Sequence, residues 1–545
     1  MSRCSPSPRL CPPDRSPLLP LLQALALPAA LLISACSLPQ EYLETGHLPE
    51  VRPALPAPAT ALPPTPPQEP AVITDAGGLE LSDQVIPFEK FARGREEELP
   101  TLTERFDDLL FSVNRERRDL IEQRSLDDTD TELPERRSLF GGDRFLSPGP
   151  IDPGIVLPTK ATWRPYFTAF GTLRSGLQTF HQGSKDITEW ANRLDIFGNL
   201  YLTGTERILI GFRPLDYEGR FSGYSFGGSK PQGWVDELNL EPRTLFFEGD
   251  FGELFPFLDP KDRHHLDYQF SIGRQPFVLQ DGLLANDIMD AFAVTRHNIY
   301  MLGASNSRIT AIYAFNDIHR GNNIEDPDAR LFALSTTLDY PHRTFETDAA
   351  WVTGSPGSGD GAFFGLGHRA RFGHWSSTLR ANASWALRGP SPAVDTGYLL
   401  THEFSRNLRN SEDIFYFNTL VGSGHYTSAA RGPANGGPLG SMGLLNRAVG
   451  LGAYGAPLKN SVGDTIAAAI GLQHFFDPEG YRNILVELGA RGPWDGQSEK
   501  FTTALGAQYQ QGFARGMIFT LGGFTGIDED GDTSYGARTE LLLKF

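Results

Sequence analysis

Seven arginines sit where a period-2 pattern turns them away from apolar neighbours: Arg207, Arg213, Arg308, Arg369, Arg371, Arg380 and Arg538. Ile208, Ile210 and Phe212 alternate with the first two, Ile309, Ala311 and Tyr313 with the third, and Leu379, Ala381 and Ala383 with Arg380. A guanidinium keeps its charge in a wet cavity and presents a rigid fork of donors to carboxylates and phosphates. Several along one wall raise the local concentration of anions. Acids share the same parity, namely Glu237, Glu346, Asp348, Glu487 and Glu540. Two readings stay open: an anion-attracting surface, or arginines that pair with acids on neighbouring strands. Arg369 and Arg371 precede the strand of Arg380 by one turn, so the three are expected to meet across a hairpin.

Other chemistry has little to stand on. The histidines are scattered, with His264 and His265 in a charged turn and His319 and His425 in loops. No Gly-x-Ser-x-Gly elbow and no His-x-x-x-His pair occurs, so no catalytic residue is assigned and an enzyme is not expected. No metal site or cofactor is expected either. Asp528-Glu529-Asp530-Gly531-Asp532 lacks the spacing and closing Glu of a calcium loop and reads as a solvated acidic turn. Cys4, Cys11 and Cys36 are the only cysteines, so the main body holds no disulfide or thiolate site. A formal net charge of -18 argues against nucleic acid as a partner.

The elements that must position the arginines begin near residue 160. Strand-like segments of about 8 to 14 residues alternate there with Gly, Asp, Asn and Pro turns. Phe167, Ala169, Gly171 and Leu173 oppose Thr168, Thr172 and Arg174; Ile484, Val486 and Leu488 oppose Asn483, Glu487 and Gly489. The last eleven residues carry the pattern to the end. Tyr535, Ala537, Thr539, Leu541, Leu543 and Phe545 share one face, and Gly536, Arg538, Glu540 and Lys544 the other. Lipid would serve as partner for the apolar face. The pattern predicts an all-β fold, a transmembrane antiparallel β-barrel of about 16–18 strands over residues 156–545. A barrel that wide encloses water. Its last strand is expected to pair with the first near Phe167 to Leu173, with Arg538, Glu540 and Lys544 facing the lumen. Residues 222–233, 316–328, 354–361, 426–443 and 526–534 read as extracellular or lumen-folded loops.

The N-terminal part differs. Arg3, Arg9 and Arg15 precede an apolar run over residues 18–33, followed by Ile33-Ser34-Ala35-Cys36, which resembles a bacterial lipobox. Residues 1–35 are therefore read as a lipoprotein signal peptide and Cys36 as the lipidated residue. Residues 36–75 are Pro-rich and read as an extended linker. Residues 76–155 read as a periplasmic, partly helical extension, on the spacing of Leu102, Phe106, Leu109, Leu110, Val113, Leu120 and Ile121. That helix would plug the barrel, contact a partner or simply link. The Phe545 end resembles the C-terminal strand that the assembly machinery of bacterial outer-membrane barrels reads.

Phe270-Ser271-Ile272-Gly273-Arg274-Gln275-Pro276, then Gln280-Asp281-Gly282-Leu283-Leu284, Asn286-Asp287 and the final Phe545 resemble the alginate-export family of outer-membrane porins. The resemblance implies that Gly273, Arg274 and Gln275 end a strand and that Asp281 and Gly282 fold at the barrel wall. It also implies passive passage of an anionic polysaccharide or a smaller solute. The lipid anchor and the long N-terminal extension depart from that family. Simple alternation from Tyr268, Phe270 and Ile272 puts Arg274 on the lipid side, so it needs a bulge or an interfacial position to serve the pore. The expectation is a bacterial outer-membrane porin for a hydrophilic solute, an anionic one on the first reading of the arginines. Its expected partners are outer-membrane lipid and lipopolysaccharide. The alternative is a lipid-anchored assembly or secretion partner acting through residues 76–155.

Overall fold

The computed structural model describes residues 139–141 and 154–545, apart from 259, 262–265, 409–410, 478–479, 496–498 and 515. The leader, Cys36, the Pro-rich stretch and the expected helix lie outside the described residues.

Eighteen strands form one closed antiparallel barrel. They are β1 (Tyr166–Gln182), β2 (Lys185–Tyr201), β3 (Arg207–Phe212), β4 (Pro242–Asp250), β5 (Tyr268–Leu279), β6 (Ala285–Arg296), β7 (Asn306–Asn316), β8 (Arg330–Tyr340) and β9 (Arg343–Thr353). The circuit continues through β10 (Gly361–Phe372), β11 (Trp375–Ala386), β12 (Gly397–Asn407), β13 (Ile414–Gly424), β14 (Thr465–Phe475), β15 (Arg482–Pro493), β16 (Thr502–Ala514), β17 (Met517–Asp528) and β18 (Thr533–Lys544). Strands of this length, tilted about 40°, rise roughly 30 Å, enough for an apolar band of about 25 Å.

The two faces part as period 2 demands. Leu334, Leu366, Ile466, Leu488, Leu505 and Leu521 are exposed on the outside. Aromatic rings gather near both ends of the wall, with Tyr313, Phe332 and Trp351 in line at one end and Trp375 stacked on Phe404 at the other. Lumen positions of the wall strands carry Asp348, Arg380, Asn382, Glu487 and Glu540. That is a barrel with lipid chemistry outside and water chemistry inside. No helix among the described residues is long and apolar enough to cross a membrane.

The seam is shifted from the expected stretch. β18 pairs with β1 from Lys544↔Thr172 to Tyr535↔His181, and Phe545 exchanges both backbone hydrogen bonds with Gly171 at 2.9 and 3.1 Å. Closing a barrel requires the strands to stagger, which leaves the start of β1 beyond the end of β18. Phe140–Gly141 takes that edge, pairing with Phe167 and Tyr166. A Cβ on Gly171 would lie 2.5 Å from the Phe545 ring and 2.5 Å from the Asp195 carbonyl. Gly171→Val is therefore expected to cut the yield of refolded barrel several-fold, read as the heat-modifiable band on a gel; an unchanged yield would mean the seam tolerates displacement of Phe545.

Two departures from a plain barrel matter for the lumen. The third strand is interrupted: β3 pairs with Ile196 to Tyr201 of β2, whereas Arg220–Gly228 resumes against Ile187 to Asn192. Residues 222–233, expected as a loop, are thus largely strand; their Gly and Ser content masks an alternation in which Tyr224 and Phe226 point outward, with Trp234 of the next short strand beside Tyr224. Further on, the β5–β6 hairpin leaves the wall. Its own pairing runs to Leu279↔Ala285, but β4 stops pairing with it at Arg274 and β7 at Asp290. The freed end lies in the lumen. Leu279, Leu284 and Met289 pack there against Ile312, Leu331, Val352 and Phe363 of β7 to β10.

Candidate functional site: a charged constriction

Two segments fill part of the lumen, the turn of the β5–β6 hairpin and residues 425–464 between β13 and β14. They meet through backbone pairing of Ala285 with Ala430 and Asn286 with Arg431. Arg431 is fully buried. Among the described residues it faces no carboxylate at hydrogen-bond distance; instead it donates to Ser428 Oγ at 3.1 Å, Asn435 O at 3.3 Å, Pro438 O at 3.4 Å and Gly282 O. Five fixed donors suit such a set of carbonyls. Burial lowers the Arg431 pKa to about 10, so it is still charged at neutral pH.

Wall carboxylates hold the middle of the 425–464 segment from two sides. Glu487 accepts from Leu444 N at 2.8 Å, Leu445 N at 3.0 Å and the Tyr416 hydroxyl. Across the lumen Glu189 accepts from Ala453 N and from Lys230 at 2.8 Å. Arg174, Arg193 and Gln178 donate to the carbonyls of Val449, Gly450 and Leu451, each at 3.1 Å. The segment therefore spans from β15 to β2 and divides the lumen into two charged walls.

On the β9–β11 wall the arginines are matched. The hairpin turn places Gln280, Asp281 and Gly282 in succession at φ 53°, 51° and 85°. Non-glycine residues in this region store of order 1–3 kcal/mol each and persist where the surroundings fix them. Here Gln280 donates to Asp348 at 2.6 Å. Asp281 bridges Arg369 at 3.1 Å and Arg380 at 2.6 Å, and Glu346 takes Arg380 at 3.1 Å. Arg371 does not join them; its Nε donates to Gly373 O in the turn. Arg308 lies nearby on β7, with Thr337 at 3.4 Å.

The opposite wall is richer in cations. Arg193 and Arg213 share Asp195 at 2.9 and 2.8 Å, and Arg213 also reaches Asp216 at 3.4 Å. Arg174 binds Glu540 at 2.7 Å, and Arg538 shares its Oε2. Arg447, on the inward segment, makes no ion pair among the described residues. Its surroundings and the Arg174 charge both lower its pKa. A cavity of about 290 Å³ opens here, lined by Arg174, Arg447, Tyr454, Gln508, Arg538 and Glu540. Burial pushes the Tyr454 hydroxyl to about 12, so it stays a neutral donor.

The remaining expected residues fall elsewhere. Arg207 pairs with Glu248, and Glu237 with Arg220. Arg274 keeps the outward parity of Leu245 and binds Asp290 at 3.0 Å and Asp317 at 3.2 Å, at the point where the hairpin leaves the wall. Gly273, at φ 121°, makes that approach possible: a Cβ would lie 2.3 Å from Leu245 O. Gln275 is buried and donates to Ala291 O at 3.3 Å. The acidic turn at Asp528, Asp530 and Asp532 holds Lys500 among its carboxylates at 2.7 to 3.4 Å. Among the described residues no group of acids, histidines or cysteines is arranged to hold a metal ion. Sequence reading missed Arg193 and Arg447 as members of the constriction and took Arg174 only as part of an alternating strand.

The barrel resembles solved bacterial porins. OccK2 of Pseudomonas aeruginosa is 9% identical, with a TM-score of 0.48 over 70% of this chain and 97% of that one. A BenF-like porin of Pseudomonas fluorescens Pf-5 is 11% identical, with a TM-score of 0.48 over 70% and 98%. OccAB3 of Acinetobacter baumannii is 11% identical, with a TM-score of 0.46 over 70% and 99%. No family model matches the sequence. No curated protein matches it.

Proposed function

We propose that the chain is a bacterial outer-membrane porin for passive passage of small hydrophilic anions. One observation carries this reading: among the described residues the β1–β2–β18 wall and the inward segment bring Arg174, Arg193, Arg213, Arg447 and Arg538 together against Asp195, Asp216 and Glu540, while the further acid Glu189 is matched by Lys230. Such an excess of guanidinium raises anion concentration at the narrow part of the path. On this reading the end of the wall bearing the termini faces the periplasm, and Cys36 adds a lipid anchor. Reversal potential of the refolded chain in a planar bilayer under a KCl gradient tests it. Chloride preference is expected; absence of conductance would sink the pore, and potassium preference the anionic solute. Arg447→Glu, at a residue outside the wall strands that makes no ion pair among the described residues, should cut the chloride-to-potassium ratio several-fold at low salt and leave the refolded yield unchanged. The finer alginate-type reading predicts that short oligouronates block the current from one side.

A further inference from the structure

On the loop side of Arg274 the barrel wall is incomplete. The β5–β6 hairpin has withdrawn into the lumen, and its neighbours do not close up behind it. Gly233–Val235, which flanks the break, pairs with Arg220–Gly228, and no other strand pairs with it among the described residues. On the other flank β7 ends at Asn316 and gives way to residues 317–329. A cavity of about 420 Å³ occupies the break. Its lining comes from both sides of the wall. Arg274 has outward parity, whereas Arg213 is held by lumen-facing Asp195, and Pro433 comes from the inward segment. Barrels in lipid ordinarily leave no open edge, because unpaired backbone groups there cost several kcal/mol each. This break must therefore meet something that offers both hydrogen bonds and an apolar body.

Its own chemistry says what. The rim is apolar: Leu238 and Leu240 are 68% and 76% exposed and alternate with the lining residues Asn239 and Glu241. The interior mixes signs. Arg274 is engaged by Asp290 and Asp317, but Glu241, Glu325 and Arg243 make no ion pair among the described residues, and Arg243 Nε is buried without a partner. Loose acceptors and one loose donor group do not make a cradle for phosphate. They suit hydroxyls, which donate and accept at once.

We propose that the break is a lateral binding site for an amphiphile with a sugar head group. Its chain lies in the membrane along Leu238 and Leu240, and its hydroxyls are held by Glu241, Glu325 and Arg243. The site rests on the barrel lying in a bilayer and not on its conducting ions. The full chain, refolded into phosphatidylcholine vesicles, is to be labelled with dodecyl maltoside carrying a diazirine at the chain end. Saturable labelling concentrated at residues 238–241 is expected. Unlabelled dodecyl maltoside should compete at least about tenfold better than dodecyl phosphate or free maltose. Glu325→Leu should lower the labelling about fivefold with channel conductance unchanged, and Arg243→Met serves the same purpose if the first variant refolds poorly. Labelling spread evenly around the barrel, equal competition by dodecyl phosphate, or labelling indifferent to both substitutions would overturn the assignment.

Discussion

Replacing Arg431 with Met should raise single-channel conductance several-fold while the barrel still refolds. The Arg431 guanidinium joins the two inward segments by donating to Gly282, Asn435 and Pro438 carbonyls and the Ser428 hydroxyl. Removing it leaves these acceptors buried without a donor, at about 1–3 kcal/mol for each that finds no water. Two or three of them exceed the ~1.4 kcal/mol that shifts an equilibrium tenfold, so the docked arrangement loses its large majority. Arg431 pairs with β6 through its backbone alone, which the substitution keeps, and Met is apolar and of similar length, so closure of β18 on β1 is untouched. The expected signature is larger, noisier current together with faster proteolysis within residues 425–464. Arg431→Lys, which keeps the charge and loses the fork, should fall between the two. Larger current with unaltered proteolysis, or the reverse, would mean the clamp does not set the aperture.

Parity was enough to read which face of each strand is wet. Ile484, Val486 and Leu488 look outward and Glu487 inward, because only one of two faces can meet lipid and the period of a strand allows no third choice. Parity cannot report where a strand leaves the wall. Arg274 obeys the alternation and still meets two carboxylates, because the hairpin bends just beyond it to bury Leu279, Leu284 and Met289. That bend is set by packing between segments distant in sequence. Arg447 was invisible for a related reason: it sits in an irregular segment whose course is fixed by Glu487 and Glu189, far apart along the chain. Arg193 was hidden by its neighbour Asn192, a polar residue on the outward face that blurs the alternation.

Asp281→Asn should move ion selectivity further toward anions, by about fivefold in the chloride-to-potassium ratio at low salt. Asp281 is the carboxylate that neutralises the β9–β11 wall, touching Arg369 and Arg380 from the tip of the inward hairpin. Without it Arg380, 1% exposed, keeps Glu346, but half-exposed Arg369 turns its charge to the passing ion. A unit charge about 8 Å from the ion's path is worth roughly 0.5 kcal/mol even at the dielectric of water. That is about twofold for each sign of ion, in opposite directions, and about fivefold in their ratio. Asparagine is the substitution to make, since it tolerates the left-handed φ of 51° that this turn requires, where alanine would strain it. The shift should vanish near 1 M salt, where the screening length falls to about 3 Å. A change that survives high salt would be steric, and would mean that Asp281 shapes the opening instead of setting its charge. The two walls make the comparison with Arg447→Glu decisive: one substitution removes an acid from the matched side, the other inverts a cation on the unmatched side, and the selectivity must move in opposite directions if a field across the constriction governs passage.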